Sequence, residues 1–323
     1  MTEYLRPFQE TLLDRVSMAQ DEVLQTGVSK GILLIGDSGV GKTHAFDLLA
    51  SRFPSRLEGT QLVCPSIRVS LATKPDASSI VESALLQLGR PLPVRHRNKL
   101  SIIESVFHDA LRARQTSLFM LEEFHNGLLA GASDLRKQHQ DFVKNTWNLH
   151  DQKNAQSWVS ATGAEKRHAI VMVLSGTEVL RKPFSSNSEL NSRFDTVIEA
   201  PSLAVFPESL YTEFRRVLKA ILTRHGLADE FDVNDGIFPV QVFLATNGHG
   251  RKMESLVLRV STLRKKWDGA TPIIELFAVA FEQLGGGYQP TKDNPFRLDE
   301  NMLISEVTRL KLSGGRFKGG PTK

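Results

Sequence analysis

The stretch GILLIGDSGVGKT, residues 31–43, decides the fold of this 323-residue chain. It begins with a short apolar run closed by a glycine, a pattern that predicts a buried strand. It continues as G-x-x-x-x-G-K-T, a loop whose backbone N–H groups surround phosphate oxygens just before a helix begins. The positive end of that helix also favours an anion. A strand, a glycine-rich turn and a helix in this order therefore predict a nucleotide phosphate site.

The residue types of the loop each have a chemical reason. Glycines let the backbone turn tightly, Lys42 is expected to reach the β- and γ-phosphates, and Thr43 is expected to place its hydroxyl on magnesium. The predicted cofactors are therefore ATP and Mg²⁺. The predicted nucleotide-binding residues of the loop are Gly36, Asp37, Ser38, Gly39, Val40, Gly41, Lys42 and Thr43.

A second stretch, SLFMLEEFHNGLL at residues 117–129, predicts an apolar strand that ends in two glutamates. In phosphate-loop enzymes a carboxylate on a neighbouring strand holds magnesium, and another group orients the attacking water. Glu122 suits the magnesium role, and Glu123 suits the role of general base or of positioning the attacking water. The alternative is that one of them only neutralises Lys42 or Arg181.

Strands and helices alternate through the first two thirds of the chain, which predicts an α/β fold with a parallel sheet covered on both faces. The pattern then changes to helices with no convincing strand. The predicted domains are a nucleotide-binding core at 1–203, an all-helical lid at 204–285 and a flexible basic tail at 286–323. The predicted strands cover 31–36, 61–71, the stretch before Glu122, 169–176 and 195–200, and the predicted lid helices cover 207–226, 238–246, 250–267 and 271–284.

Composition narrows the class of protein and its partners. The single cysteine, Cys64, excludes an intramolecular disulfide framework and a cysteine-based zinc cluster. No signal-peptide pattern and no apolar run of membrane-spanning length is seen, so a cytoplasmic protein with no membrane partner is expected. The net charge is +4, and acid-poor basic segments at 90–99, 251–266 and 309–323 favour a polyanionic partner. Each segment alone is also typical of an ordinary solvated surface.

The order of these motifs resembles the AAA+ ATPases over roughly residues 1–285. The phosphate loop, the acidic strand, the segment LSGTE, the segment NSRFD and a helical lid follow one another as in that class. The resemblance implies a five-stranded parallel core with a C-terminal helical lid. It implies sensor-1 roles for Ser175 and Thr177, an arginine finger at Arg193 that reaches the next subunit's nucleotide, and a sensor-2 role for Arg251. The alternative for Arg193 is a surface arginine that caps a helix.

Within that class, two stretches resemble the TnsC/TniB transposition regulators. They are LFMLEEFHNGLL and VMVLSGTEVLRKPFSSNSELNSRF. The resemblance implies an ATPase that assembles head to tail on double-stranded DNA as a ring or filament, marks the target site and recruits a transposase. A target-selection adaptor such as a TniQ-like protein is a further implied partner, and hydrolysis would drive disassembly. Glu122 stands where the family usually has aspartate, which predicts slower hydrolysis.

The family resemblance gives a role to basic residues on either side of the helix that is predicted to begin at Asp76. Lys74, Arg95, Arg97 and Lys99 are predicted to contact DNA through its phosphates, without sequence preference. Ordinary solvated loop charge is the alternative for each of them. Other functions left open are a helicase, clamp-loader or initiator-type AAA+ ATPase, and an ATP-gated DNA scaffold that does not hydrolyse. A small-molecule kinase is disfavoured, because no acceptor-site base is seen beyond the two glutamates.

Overall fold

The structure is a computed structural model that describes residues 4–71, 76–91, 100–129, 133–150, 169–234, 236–267, 271–284 and 293–312. The chain divides into two compact units. An α/β unit comprises residues 7–200, and a helical unit comprises residues 1–6 together with residues 201–323.

A parallel sheet forms the centre of the α/β unit. The strands of this unit are β1 (Lys30–Gly36), β2 (Arg56–Glu58), β3 (Gln61–Val63), β4 (Ser66–Ser70), β5 (Leu118–Glu122), β6 (Val171–Gly176) and β7 (Thr196–Ala200). Five of them form the sheet in the order β4–β5–β6–β1–β7, and every neighbouring pair is parallel. The predicted five-stranded parallel core is confirmed. The early strand β1 therefore lies between two strands that come much later in the chain.

Helices surround this sheet. They are α1 (Pro7–Thr26), α2 (Lys42–Arg52), α3 (Ala77–Gln87), α4 (Leu100–Ala113), α5 (His125–Leu129), α6 (Ser133–His150), α7 (Arg181–Ser185) and α8 (Ser188–Arg193). The start of α3 follows from its sequence, because the Asp76 side chain accepts a hydrogen bond from the Ser79 N–H at 2.7 Å. Phe107 of α4 and Phe142 of α6 pack against Phe119 of β5, with ring centroids 5.6 and 6.3 Å from that ring.

The central strands are buried on both faces. Every residue of β5 and β6 is buried, as are Ile32 to Ile35 of β1. Parallel sheets covered by helices on both sides require this, which is why these strands are continuous apolar runs rather than alternating ones. Because β5, β6 and β1 are parallel neighbours in that order, their carboxyl ends lie at the same edge of the sheet.

The second predicted strand, residues 61–71, is wrong as a single element. Its first part, β3, pairs antiparallel with β2, and only β4 joins the parallel sheet. Pro65 lies between the two parts and has no N–H to donate to a strand partner. Its carbonyl instead accepts hydrogen bonds from the N–H groups of Ser117 and Leu118, both at 2.9 Å. The proline therefore ends the hairpin and begins the sheet pairing.

In its described residues, the helical unit contains the four helices predicted for the lid and one more. They are α9 (Glu208–Arg224), α10 (Phe238–Thr246), α11 (Gly250–Arg264), α12 (Ile273–Gln283) and α13 (Glu300–Leu312), with short 3-10 turns at Ala228–Glu230 and Pro295–Arg297. Their apolar faces form a core of their own.

The folded region extends beyond the predicted lid boundary at residue 285, so a flexible tail starting at 286 is a wrong boundary. Phe296 and Leu303 are buried in the core of the helical unit. The Phe296 ring lies 5.3 Å from that of Phe277, and Asn294 donates to the carbonyl of Ala278 at 2.9 Å. Residues 293–312 therefore belong to the helical unit, while residues 313–323 of the predicted tail lie outside the described residues.

The N-terminal segment also belongs to the helical unit rather than to the predicted core of 1–203. Arg6 is buried and donates through Nε to Glu213 at 2.6 Å. It donates through a second guanidinium nitrogen to the carbonyl of Pro201, also at 2.6 Å. A buried arginine needs such partners, and both of these lie in the helical unit.

Within the described ranges, no helix combines the length and the apolar character that crossing a bilayer requires.

Candidate nucleotide site

The phosphate loop joins β1 to α2 and takes a shape that only glycine adopts without strain at two positions. Gly39 has φ 80° and Gly41 has φ 98°, both in the left-handed region. Gly36 has a different reason to be glycine. A Cβ there would lie 2.5 Å from the carbonyl oxygen of Ala200, so close packing against β7 excludes any larger residue. Asp37 and Ser38 at the crest of the loop are exposed, and Val40 is buried beneath it.

Lys42 lies in this loop with its ammonium group turned back onto the backbone. Nζ donates to the carbonyl oxygens of Gly36 and Asp37, each at 2.8 Å. Burial lowers the pKa of Lys42, while the carboxylates of Glu123, Asp37 and Glu122 act to raise it. Phosphate oxygens of a bound nucleotide can therefore replace these two carbonyl oxygens as partners of the ammonium group.

Thr43 and Glu122, the two residues predicted to hold magnesium, lie next to each other. Thr43, at the start of α2, donates through Oγ1 to Oε2 of Glu122 at 3.2 Å. Glu122 ends β5 and is only 4% exposed. The hydroxyl keeps its oxygen lone pairs free when it donates this bond, so it can still ligate a cation.

The donor set at this point fits magnesium. Among the residues that the structure describes, no group of three or more His, Cys, Asp or Glu side chains could hold a metal ion. One hydroxyl and one carboxylate are what Mg²⁺ takes from a protein when nucleotide phosphates and waters complete its octahedron. Thr43 and Glu122 would hold the ion here.

Glu122 has a second partner that the sequence analysis did not identify. Arg68 of β4 donates through Nε to Glu122 Oε1 and through another guanidinium nitrogen to Asp47 of α2. The alternative in which one glutamate only neutralises Arg181 is wrong, because Arg181 pairs with Glu178 and Glu199 instead.

Glu123 differs from its neighbour in both backbone and environment. It has φ 53°, a left-handed conformation that costs a non-glycine residue about 1 kcal/mol or more. Its side chain is 35% exposed. The next residue returns to the sheet, since the Phe124 N–H donates to the carbonyl of Ser175 at 2.8 Å. The turn therefore separates the two carboxylates, leaving one buried beside Thr43 and the other partly exposed.

His125 begins α5 between this turn and the end of β6. Its Nδ1 lies 3.6 Å from a carboxylate oxygen of Glu123 and forms no hydrogen bond within the described part of the chain. A Cβ on Gly176 would lie 3.0 Å from the same nitrogen. Burial lowers the pKa of His125, Glu123 acts to raise it, and Lys42 lowers it further. Its surroundings therefore favour the neutral form of the imidazole. The sequence predicted only a loop histidine near the nucleotide.

The predicted sensor residues lie at the end of β6. Leu121 of β5 is in register with Leu174, which places Ser175 beside Glu122 at the strand ends. Ser175 is 1% exposed, whereas Thr177 is partly exposed and precedes a 3-10 turn. The structure therefore brings Ser175 to the same strand edge as Glu122.

Arg193 ends α8 and is held by its own chain. It donates to the carbonyl of Glu189 at 2.7 Å and to the side-chain oxygen of Asn148 at 2.9 Å. Its Nε is buried and has no hydrogen-bond partner within the described ranges. A finger that acts on a neighbouring subunit would have to leave Asn148, which is a second residue that the sequence analysis missed.

The remaining predicted site residues are not tested by this geometry. Arg251 is exposed at the second position of α11 in the helical unit. The predicted DNA contacts Lys74, Arg95, Arg97 and Lys99 lie outside the described residues. Their roles stay predictions.

Comparisons with known proteins bear on this site and fold. Residues 9–153 match the family described as "Bacterial TniB protein", a range that includes the phosphate loop and the acidic strand. No curated protein matches the chain.

Solved structures with the same fold include ORC and Cdc6 proteins. The ORC2 protein of Aeropyrum pernix, in ADPNP–ADP complexes, has a TM-score of 0.59 and 14% identity, over 99% of this chain and 83% of that one. Cdc6p from Pyrobaculum aerophilum has a TM-score of 0.58 and 14% identity, over 97% and 88%. The ORC1 protein of Aeropyrum pernix in complex with DNA has a TM-score of 0.56 and 14% identity, over 96% and 84%.

The strand order, the phosphate loop and the acidic strand end together give this chain the fold of AAA+ P-loop proteins. Within this fold, residues 9–153 are similar to bacterial TniB proteins.

Proposed function

We propose that this chain binds and hydrolyses ATP and uses its nucleotide state to assemble on double-stranded DNA as a regulator of transposition. The match of residues 9–153 to bacterial TniB proteins carries the proposal, because it spans both halves of the nucleotide site. The assembled protein would mark a target site and recruit a transposase, aided by an adaptor such as a TniQ-like protein.

The chemistry follows from the groups around the loop. Backbone N–H groups from Gly39 to Thr43 bind phosphate oxygens, and Lys42 exchanges its carbonyl partners for the β- and γ-phosphates. A bound Mg²⁺ would neutralise part of the phosphate charge. Glu123 accepts a proton from water as the water oxygen bonds to the γ-phosphorus, and ADP leaves with the electrons of the broken P–O bond. Ser175 and Thr177 orient that water or the γ-phosphate.

Assembly would use Arg193 from one subunit at the nucleotide of the next. Such a head-to-tail contact is heterologous, so it closes into a ring or propagates as a filament. DNA binding would depend on phosphate contacts, with Lys74, Arg95, Arg97 and Lys99 as the proposed residues. It would therefore weaken steeply as salt is raised.

A second candidate function is an ATP-gated DNA scaffold that binds ATP but scarcely hydrolyses it. The pairing of Glu122 with Arg68 favours this candidate, because that carboxylate is already neutralised by a cation of the protein. The two functions share the binding site and differ only in turnover.

One experiment separates the candidates. Phosphate release is measured with ATP and magnesium, with and without duplex DNA, and the same samples are imaged by electron microscopy. Rings or filaments that need ATP, together with DNA-stimulated phosphate release, support the proposal. Assemblies without phosphate release support the scaffold. A protein that stays monomeric with ATP and DNA contradicts both. Lys42→Ala, which removes the ammonium group from the loop, is the control and should not assemble.

A further inference from the structure

Arg68 connects the candidate magnesium site to the neighbouring strand. It lies on β4, and its side chain is 25% exposed. Its guanidinium group contacts Glu122 on one side and Asp47 on the other. Glu122 is the more deeply buried partner, with a side chain only 5% exposed, whereas that of Asp47 is 59% exposed.

The strand register explains why a glutamate reaches this arginine. Glu122 is directly opposite Ser70 in the β4–β5 pair. Arg68 lies two residues before Ser70 and so points to the same face of the sheet. The contact between Glu122 and Arg68 is therefore diagonal across two strands, and a long side chain on each strand spans it. Aspartate, one methylene shorter, would withdraw from Arg68.

Both oxygens of Glu122 are engaged in this arrangement. Oε2 accepts the Thr43 hydroxyl at 3.2 Å, and Oε1 accepts Arg68 Nε. A divalent cation that binds beside Thr43 meets a carboxylate whose charge is already balanced, with a positive guanidinium group just behind it. Repulsion between like charges at such short range is large in a partly buried site.

We propose that Arg68 competes with magnesium for the charge of Glu122 and thereby weakens metal binding at the nucleotide site. Asp47 gives the guanidinium group a second anchor, so Arg68 can withdraw from Glu122 without losing every partner. The inference rests on the proposed function, since it requires that the loop binds a nucleotide with magnesium. It explains the glutamate in this position as one half of a pair with Arg68.

The test measures binding rather than turnover. A fluorescent, non-hydrolysable ATP analogue is titrated onto wild-type protein and onto Arg68→Gln at a series of magnesium concentrations. We expect the magnesium concentration that gives half of the maximal analogue binding to be at least about fivefold lower for Arg68→Gln than for wild-type protein. The reason is that the positive charge opposing the metal ion is gone. Arg56→Gln is the matched control. Arg56 lies in the same α/β unit and pairs with Glu58 rather than with Glu122. Its substitution also removes one positive charge, so the magnesium requirement should stay unchanged.

A second variant keeps the test decisive if Arg68→Gln does not fold. Glu122→Asp retains the charge and shortens the reach to Arg68, so it should lower the magnesium requirement in the same way. Adding Arg68→Gln to Glu122→Asp should then change the requirement little, since the pair is already separated. Circular dichroism and thermal unfolding establish that each variant is folded.

Other results overturn the inference. A higher magnesium requirement in Arg68→Gln means that Arg68 orients Glu122 for the metal rather than competing with it. An unchanged requirement, with or without a lower melting temperature, means that Arg68 has only a structural role. Failure of wild-type protein to bind the analogue contradicts the proposed function itself and the inference with it. If wild-type protein binds the analogue and Arg68→Gln has the same magnesium requirement, only the inference is contradicted.

Discussion

At the scale of single residues, the two adjacent glutamates have opposite environments. Glu122 is buried with Thr43 and Arg68, and Glu123 lies in a left-handed turn with a partly exposed side chain. A general base needs access to water, and its carboxylate must not already be paired with a cation. A metal partner needs a fixed position, which burial and hydrogen bonds provide. Under the proposed function, the backbone turn at Glu123 would therefore divide the two roles between neighbours of the same type.

Replacing Glu123 by glutamine should remove hydrolysis and leave ATP binding intact. Glutamine keeps the size of the side chain but cannot accept the proton from water, so phosphate release should fall by about 10²- to 10⁴-fold. Phosphate release is measured under single-turnover conditions, and binding of a fluorescent ATP analogue is measured in parallel. Because the ATP-bound state persists, assemblies on DNA should last longer than those of wild-type protein.

The control for this substitution is Glu10→Gln, on the exposed face of α1. It makes the same chemical change away from the site and should leave phosphate release unaltered. Unstable assemblies in Glu123→Gln, or release at the wild-type rate, would show that Glu123 is not the general base.

At the scale of elements, the sequence predicts most of the fold because buried strands and amphipathic helices have different periods. The apolar runs of β1, β5 and β6 are unbroken, and the four lid helices carry helical spacing. The error at residues 61–71 came from Pro65, which divides one apolar segment between two sheets. A local sequence pattern does not specify with which strand each segment flanking a proline will pair.

The sequence predicted only those residues of the candidate site that belong to continuous motifs. Lys42 and Thr43 lie in the phosphate loop, and the strand end gives Glu122 and Glu123. Arg68 could not be found in this way, since it reaches Glu122 from 54 residues earlier in the chain through a diagonal contact between strands. Asn148 reaches Arg193 across 45 residues for a similar reason. Such partners depend on strand register and helix packing, which single-sequence patterns do not specify.

The segment around Phe296 should contribute measurably to the stability of the helical unit. Phe296 is 7% exposed and packs against Phe277, so Phe296→Ala should lower the free energy of unfolding by about 3 kcal/mol. Calorimetric or denaturant unfolding measures the change. Met302→Ala is the control, because Met302 is 54% exposed on α13 and should change stability by less than about 0.5 kcal/mol. Equal effects of the two substitutions would mean that residues 293–312 do not pack on this core.

At the scale of the whole molecule, the decisive question is whether a complete catalytic site needs two subunits. Arg193 is held by Asn148 and Glu189 of its own chain, which is compatible with either a structural arginine or a finger awaiting its neighbour. Removing Arg193 alone cannot separate these roles, since either would lower activity. Mixing two inactive variants can separate them.

Arg193→Ala and Glu123→Gln should each hydrolyse ATP poorly alone and recover activity when mixed. In a head-to-tail assembly, an Arg193→Ala subunit keeps its Glu123, and a Glu123→Gln neighbour supplies the missing arginine. At equal concentrations about a quarter of the interfaces would then be complete, provided that the subunits mix at random. Phosphate release in the presence of DNA, measured across a series of mixing ratios, should pass through a maximum near the equal mixture. Activity that never exceeds that of the separate variants would place Arg193 in the structure of its own subunit and would require a different cation at the interface.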